Sequence, residues 1–221
     1  MRIQAFALDL DGTLVDSIPD LTIAANRVRA YYGLPPLPEA RIRYHVGDGI
    51  ASLVHRALTD LRDGCVSDGQ HAEALSMFLD WYGQHLADHT QPYPTVVDTL
   101  SRMKAEGFRV ALITNKSVGP ARKLTAALGL DRFLDIQIGG DSLSEKKPSG
   151  LPLLHVAEQF EVPPQAMAMV GDSHNDVQCA RQAGALAIAA SYGYEDVSAC
   201  EADFVATSLA AAYEFGKNAI R

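Results

Sequence analysis

Several short runs of this 221-residue chain carry side chains whose types and spacing could do chemistry. Asp9-Leu10-Asp11-Gly12-Thr13 sets two carboxylates at i and i+2, which share one side of an extended chain. The glycine after them lets the backbone turn tightly. Gly171-Asp172-Ser173-His174-Asn175-Asp176 sets two more acids four residues apart, across the start of an expected helix. Thr114-Asn115 offers a hydroxyl and an amide, and Lys147-Pro148 a compact positive charge. Each run alone has an ordinary explanation: a turn, a helix cap with an acid complementing the helix dipole, a solvated lysine. Together they say more. Several carboxylates converging on one crevice repel unless a cation sits among them, and Mg²⁺ suits a site of a few carboxylates, waters and a phosphate.

The elements that would position these groups can be read from the apolar pattern. Residues 3–8 lead to Asp9, 108–113 to Thr114, and 166–170 to Gly171-Asp172; 186–190 and 204–206 are two further runs. Unbroken apolar runs of this length suit strands buried on both faces, as in a parallel sheet. Helical spacing marks residues 95–106, 117–128, 151–160 and 175–183, with Gly107, Gly129 and Gly184 as stops. This alternation predicts a doubly wound, Rossmann-like α/β sheet, whose ligands bind at the carboxyl ends of the strands. Residues 16–91 read differently, as helices over 21–32, 50–61 and 72–86 with no strand between. The expected organisation is an α/β core of residues 1–15 and 92–221. A helical domain, 16–91, is inserted after the first strand, with hinges near Val15-Asp16 and Pro92-Tyr93-Pro94. His85 and His89, four apart and read as one face of a helix in this insertion, lack a third metal ligand and are expected to be a solvated face.

Composition narrows the class. Lys and Arg number 19 against 27 Asp and Glu, a net charge of −8, so the footprint of a nucleic-acid binder is missing. An acidic protein acting on an anionic substrate needs a few concentrated cations or a metal. With 48% hydrophobic and 21% charged residues the chain is expected to be globular. Cys65, Cys179 and Cys200 form no CxxC pair, which excludes a disulfide framework and a Cys-rich zinc module. The first residues lack the features of a signal peptide, and no apolar run reaches the about 18 residues of a membrane span. The expected compartment is the cytoplasm, with no nucleic-acid or membrane partner.

The four ordered motifs, Asp9-x-Asp11-Gly12-Thr13, Thr114-Asn115, Lys147-Pro148 and Gly171-Asp172-Ser173-x-Asn175-Asp176, resemble those of the haloacid dehalogenase superfamily. The helical insertion is similar to that family's cap. Within the superfamily, residues 6–17, Pro19-Asp20-Leu21, Val46-Gly47-Asp48-Gly49 and Arg56-Ala57-Leu58 resemble the bacterial phosphoglycolate phosphatases. The resemblance implies Mg²⁺-dependent hydrolysis of a phosphomonoester through an aspartyl-phosphate. It makes Asp9 the nucleophile and Asp11 the general acid and base. The metal would be held by Asp9, the backbone carbonyl of Asp11, and Asp172. Thr114, Asn115 and Lys147 would bind the phosphoryl group, with Lys147 stabilising the transferring oxygens. Thr13 would fix the nucleophile loop, and Asp176 would orient Lys147 or a metal-bound water. Gly47-Asp48-Gly49 reads as a cap loop facing the substrate.

The chain departs from the family pattern after Lys147-Pro148, where Ser149-Gly150 stands in place of the frequent His-Pro. The implied partner is a small phosphorylated metabolite, 2-phosphoglycolate first. Sugar phosphates, nucleoside monophosphates, pyrophosphate and N-acetylmuramate phosphate are the alternatives. A phosphomutase would also use Asp9 and Asp11, but its cap must hold a second phosphate. An idle phospho-ligand binder or interaction protein would be expected to have lost the nucleophile or the acid, and both are present. Either a monomer or a homodimer is compatible with the sequence.

Overall fold

In the computed structural model, which describes residues 2–220, the apolar runs form a six-stranded parallel sheet in the order β5-β4-β1-β6-β7-β8. The strands are β1 (Ala5–Leu8), β4 (Arg109–Ile113), β5 (Ile136–Ile138), β6 (Met167–Gly171), β7 (Leu186–Ala190) and β8 (Phe204–Ala206). β2 (Val15–Asp16) and β3 (Gln91–Pro92) pair as a separate two-stranded ribbon. Alternation sends Ala5, Ala7, Ala111, Ile113, Met167 and Met169 into one core layer with Leu153, Val156 and Val177. Phe6 points to the opposite face, where its ring meets Tyr213 edge-on at 5.6 Å and Phe108 at 5.4 Å. Burial on both faces is why β1, β6 and β7, and β4 beyond Arg109, lack polar alternation.

The helices of this layered unit are α5 (Val96–Ala105), α6 (Val118–Ala127), α7 (Leu151–Gln159), α8 (His174–Ala183) and α9 (Leu209–Asn218). Register decides what the sheet presents at its carboxyl edge. Leu8 pairs with Leu112 on one side and Val170 on the other. The next residues along these three adjacent strands are therefore Asp9, Ile113-Thr114 and Gly171-Asp172, all at one edge. The order reverses at β1, from which the chain goes to β4 and β5 on one side and later to β6 on the other. Such a switch point is where an open α/β sheet leaves a crevice.

The chain divides into two compact units, residues 1–16 with 92–221, and residues 17–91. The second contains α1 (Ile18–Tyr31), α2 (Glu39–His45), α3 (Ile50–Thr59) and α4 (Asp68–Tyr82). Polar residues organise it from within. The fully buried Asp20 carboxylate accepts from the N–H of His89 and from both the N–H and the hydroxyl of Thr90, at 2.7–3.1 Å. Arg29 donates to the carbonyls of Pro35 and Ala57.

Several elements differ from the sequence expectation. α2 and β5 were not foreseen: the first is only seven residues, the second only three, too short for a periodic signal. The C-terminal helix α9 was also missed. The helix expected over 72–86 begins earlier and stops at Tyr82, so His85 and His89 are not on it. His85 faces Asp88 at 2.7 Å and stacks on Trp81. No described helix is long and apolar enough to cross a membrane, and the three cysteines are free.

Candidate active site

The tips of β1, β4 and β6 carry the chemistry. Asp9 follows β1, is 8% exposed, and is fixed by its N–H donating to the Val170 carbonyl at 2.9 Å. Beside it stands Lys147, 2% exposed. Its ammonium donates to Asp176 Oδ1 at 2.6 Å and to the Ile113 carbonyl at 2.7 Å, and forms an ion pair with Asp9 Oδ1 at 2.8 Å. The Lys147–Pro148 peptide is cis. Asn115 braces the same loop, its amide donating to the Lys147 carbonyl at 3.1 Å.

Asp176 lies in the first turn of α8 and reaches back to the residue that starts the helix. Its Oδ2 accepts from the Ser173 N–H at 3.0 Å and the Ser173 hydroxyl at 2.6 Å. Both Asp176 oxygens are thus engaged, one by a cation and one by a helix cap. Asp172 differs. Its Oδ1 accepts from the Thr13 hydroxyl at 2.9 Å and its Oδ2 from the Tyr194 N–H at 2.7 Å, both neutral donors. Among the described residues no lysine or arginine pairs with it.

Close backbone approach makes this packing possible. Gly12 has φ +89°, and a Cβ there would lie 2.1 Å from Asp172 Oδ2. A Cβ on Gly193, in the loop after β7, would lie 2.2 Å from Asp172 Cβ and 2.4 Å from the Gly12 carbonyl. Two glycines therefore enclose the Asp172 carboxylate, where any side chain would displace it. Tyr192 completes the enclosure, its hydroxyl donating to the Thr13 carbonyl at 3.1 Å.

Electrostatics separate the three acids. Burial pushes the Asp9 carboxyl up to about 6, against the opposing pull of Lys147. Burial raises Asp172 well above the ordinary value too, and the neighbouring charges of Asp9 and Asp176 add to the effect. Burial works to lower Lys147, but Asp176 and Asp9 outweigh it and hold the ammonium above the usual lysine range. Oxygens of Asp9, Asp172 and Asp176 lie within 4.8 Å of one another. Three buried carboxylates with one ammonium, one of them solvated only by neutral donors, fit a divalent cation by charge and by donor type.

The structure thus brings together Asp9, Thr13, Lys147, Asp172 and Asp176. The Asp11 carboxylate stands outside the three-acid cluster. It is held instead by Lys116, whose Nζ lies 3.0 and 3.2 Å from its two oxygens. Thr114 is 4% exposed at the tip of β4, and its hydroxyl accepts from the Lys116 N–H at 3.2 Å. Gly47, Asp48 and Gly49 lie in the helical unit, between α2 and α3. There Asp48 pairs with Arg56 at 2.6 Å and with Arg62 at 3.7 Å, and both glycines have positive φ. Sequence reasoning missed Lys116, Gly193 and Tyr194. Lys116 had a signal: a cation two residues beyond the threonine at one strand tip, in a fold that sets that tip beside an acidic one. Gly193 and Tyr194 had none, because their role depends on how the loop after β7 bends.

Comparison with known proteins shows the family. Residues 3–184 match the model of the haloacid dehalogenase-like hydrolases. The chain is 51% identical over 217 residues to a phosphoglycolate phosphatase of Chromobacterium violaceum, covering 98% of both chains. It is 41% identical to a phosphoglycolate phosphatase of Neisseria meningitidis, over 96% of this chain and 93% of that one. The crystal structure of a predicted phosphoglycolate phosphatase from Haemophilus somnus superposes with a TM-score of 0.90 at 28% identity, covering 97% of this chain and 98% of the other.

Proposed function

Because the chain belongs to the haloacid dehalogenase-like hydrolase family, we propose that it is a Mg²⁺-dependent phosphatase whose substrate is 2-phosphoglycolate. The observation that carries the chemistry is the buried cluster of Asp9, Asp172 and Asp176, of which Asp9 and Asp176 pair with the ammonium of Lys147 and Asp172 does not. The names of the relatives at 51% and 41% identity support the substrate.

In this reading an Asp9 carboxylate oxygen attacks phosphorus and the bond to the glycolate oxygen breaks. Asp11 donates a proton to that departing oxygen, releasing glycolate and leaving an aspartyl-phosphate. Asp11 then takes a proton from the water that attacks phosphorus, and the Asp9–phosphate bond breaks to give phosphate and the free carboxylate. Lys147 keeps Asp9 in place and offers positive charge to the phosphoryl oxygens; Thr114 and Asn115 line the same strand tip. Mg²⁺, held by Asp9, the backbone carbonyl of Asp11 and Asp172, would offset the phosphoryl charge. Asp176 fixes Lys147, and Thr13 fixes Asp172. The reading assigns choice of the leaving group to the helical insertion, residues 16–91, with Gly47-Asp48-Gly49 as its substrate loop. It places the protein in the cytoplasm, acting on a free metabolite.

Phosphate release with and without Mg²⁺ tests this across 2-phosphoglycolate, a sugar phosphate, a nucleoside monophosphate, pyrophosphate and N-acetylmuramic acid 6-phosphate. The expected result is a kcat/KM for 2-phosphoglycolate about a hundredfold above the others, abolished by EDTA. The Asp9→Asn variant, run alongside, releases none while its circular dichroism is unchanged. A flat profile would overturn the substrate and keep the phosphatase. Undiminished turnover in EDTA or in Asp9→Asn would overturn the mechanism.

A further inference from the structure

One buried cation takes no part in the chemistry described above. Lys116 has a side chain only 3% exposed, and its Nζ lies 3.0 and 3.2 Å from the two oxygens of Asp11, 105 residues away in sequence. Burying an ammonium costs several kcal/mol unless it is well paired, roughly the penalty for any ion taken into a protein interior. Such a residue is therefore held for what it pairs with.

Its backbone is built to aim it. Lys116 follows the tip of β4, where its N–H donates to the Thr114 hydroxyl at 3.2 Å. Its carbonyl accepts from the Gly140 N–H at 2.9 Å. The turn it belongs to packs on the glycine pair after β5: a Cβ on Gly139 would lie 2.3 Å from the Val118 nitrogen, and one on Gly140 2.4 Å from the Asn115 carbonyl. The three-residue strand β5 thus supports a turn that directs one ammonium at one carboxylate. The Asp11 side chain is 15% exposed, and its backbone runs directly into the positive-φ turn at Gly12. A carboxylate at the mouth of such a turn has two free side-chain torsions unless a partner holds both oxygens.

We propose that Lys116 is the residue that positions Asp11 for proton transfer at the leaving oxygen, the two-oxygen ion pair fixing where the carboxyl group stands. The proposal rests on the role given to Asp11 above. It distinguishes the two buried lysines: Lys147 holds the nucleophile, and Lys116 holds the acid.

The test is the dependence of kcat/KM on the leaving group, because only an acid and what holds it matter more as the departing oxygen becomes more basic. 2-Phosphoglycolate expels an alkoxide that needs a proton; p-nitrophenyl phosphate expels a phenolate that does not. Lys116→Met should lose about a hundredfold on 2-phosphoglycolate and less than about fivefold on p-nitrophenyl phosphate, the pattern of lost general-acid catalysis. Lys116→Arg should restore much of the loss, and Asp11→Asn/Lys116→Met should be no worse than Asp11→Asn. Equal losses on both substrates would overturn the proposal, since they mean that Lys116 serves binding or folding. A melting temperature for Lys116→Gln checks the fold, and a Lys116→Gln protein that is folded and equally slow on both substrates counts against it in the same way. If Asp11→Asn itself loses equally on both, the role of Asp11 fails; if only the lysine variants do, the positioning role alone fails.

Discussion

Asp176 and Asp172 lie on the same segment, four residues apart, and both are almost fully buried. Their surroundings are opposite. Asp176 has Lys147 on one oxygen and two donors of Ser173 on the other. Asp172 has only the Thr13 hydroxyl and the Tyr194 N–H, and faces the charges of two other acids. On the Asp176 side the charge is balanced by the chain itself, so that side is permanent architecture. On the Asp172 side the balance is left open, and open balance in a buried site is what makes room for a cation.

Breaking the closed side should have the larger effect on stability. Asp176→Asn removes the charge opposite a buried ammonium and turns one of its two accepting oxygens into a donor, so either Lys147 or the Ser173 cap at the start of α8 loses its acceptor. Destabilisation of about 3 kcal/mol is expected, the scale for breaking a buried pair. Urea unfolding of the wild type and the variant in EDTA measures it directly. A loss below about 1 kcal/mol would mean that Lys147 is held by Asp9 and the Ile113 carbonyl alone, and that the two sides differ less than their contacts suggest.

The open side should show itself in pH dependence. Burial lifts Asp9 from 3.8 to about 6, so between those values the folded protein holds a proton that the unfolded chain has lost. A carboxyl raised in this way costs stability as pH increases. Metal-free protein should therefore lose about 2 kcal/mol on going from pH 4 to pH 7 through this group. Saturating Mg²⁺ should flatten that slope, because binding displaces the proton, and Mg²⁺ affinity itself should weaken below about pH 6. Melting temperatures across this range, with Mg²⁺ and with EDTA, decide the matter. A metal-free protein that gains stability toward pH 7 and shows no response to Mg²⁺ would place the balance of charge elsewhere.

What the sequence made legible follows the same division. The strands that set Asp9, Thr114 and Asp172 side by side were readable because burial on both faces leaves an unbroken apolar run, and residues 186–190 and 204–206 form strands at those bounds. The acids at the tips were readable because several of them follow such runs together, although each run alone has an ordinary explanation as a turn or a cap. β5 was not, because Ile-Gln-Ile is short and carries a polar residue in the middle. That omission hid the support under Lys116. The Gly193 and Tyr194 contacts with Asp172 were equally hidden, since a loop has no period and its packing is decided by tertiary approach. The family resemblance supplied the roles, but not which acids are compensated, a property of three-dimensional neighbours.

The smallest effect is the most discriminating, because its sign is reversed. Asp172→Asn removes a charge that the chain does not balance. The amide oxygen can still accept from the Tyr194 N–H, and the amide N–H can donate to the Thr13 hydroxyl, so both hydrogen bonds survive. Neither Gly12 nor Gly193 is asked to move, since the two side chains have nearly the same shape. Metal-free Asp172→Asn should therefore be more stable than metal-free wild type by about 1 kcal/mol, a rise of about 3 °C in melting temperature. Added Mg²⁺, which is expected to stabilise the wild type by mass action, should no longer raise the melting temperature of the variant. Stabilisation without metal, paired with loss of the response to metal, is the behaviour of a charge kept for a cation. If Asp172→Asn melts lower in EDTA, as Asp176→Asn should, then Asp172 is part of the fixed framework and the cation must be held by other groups.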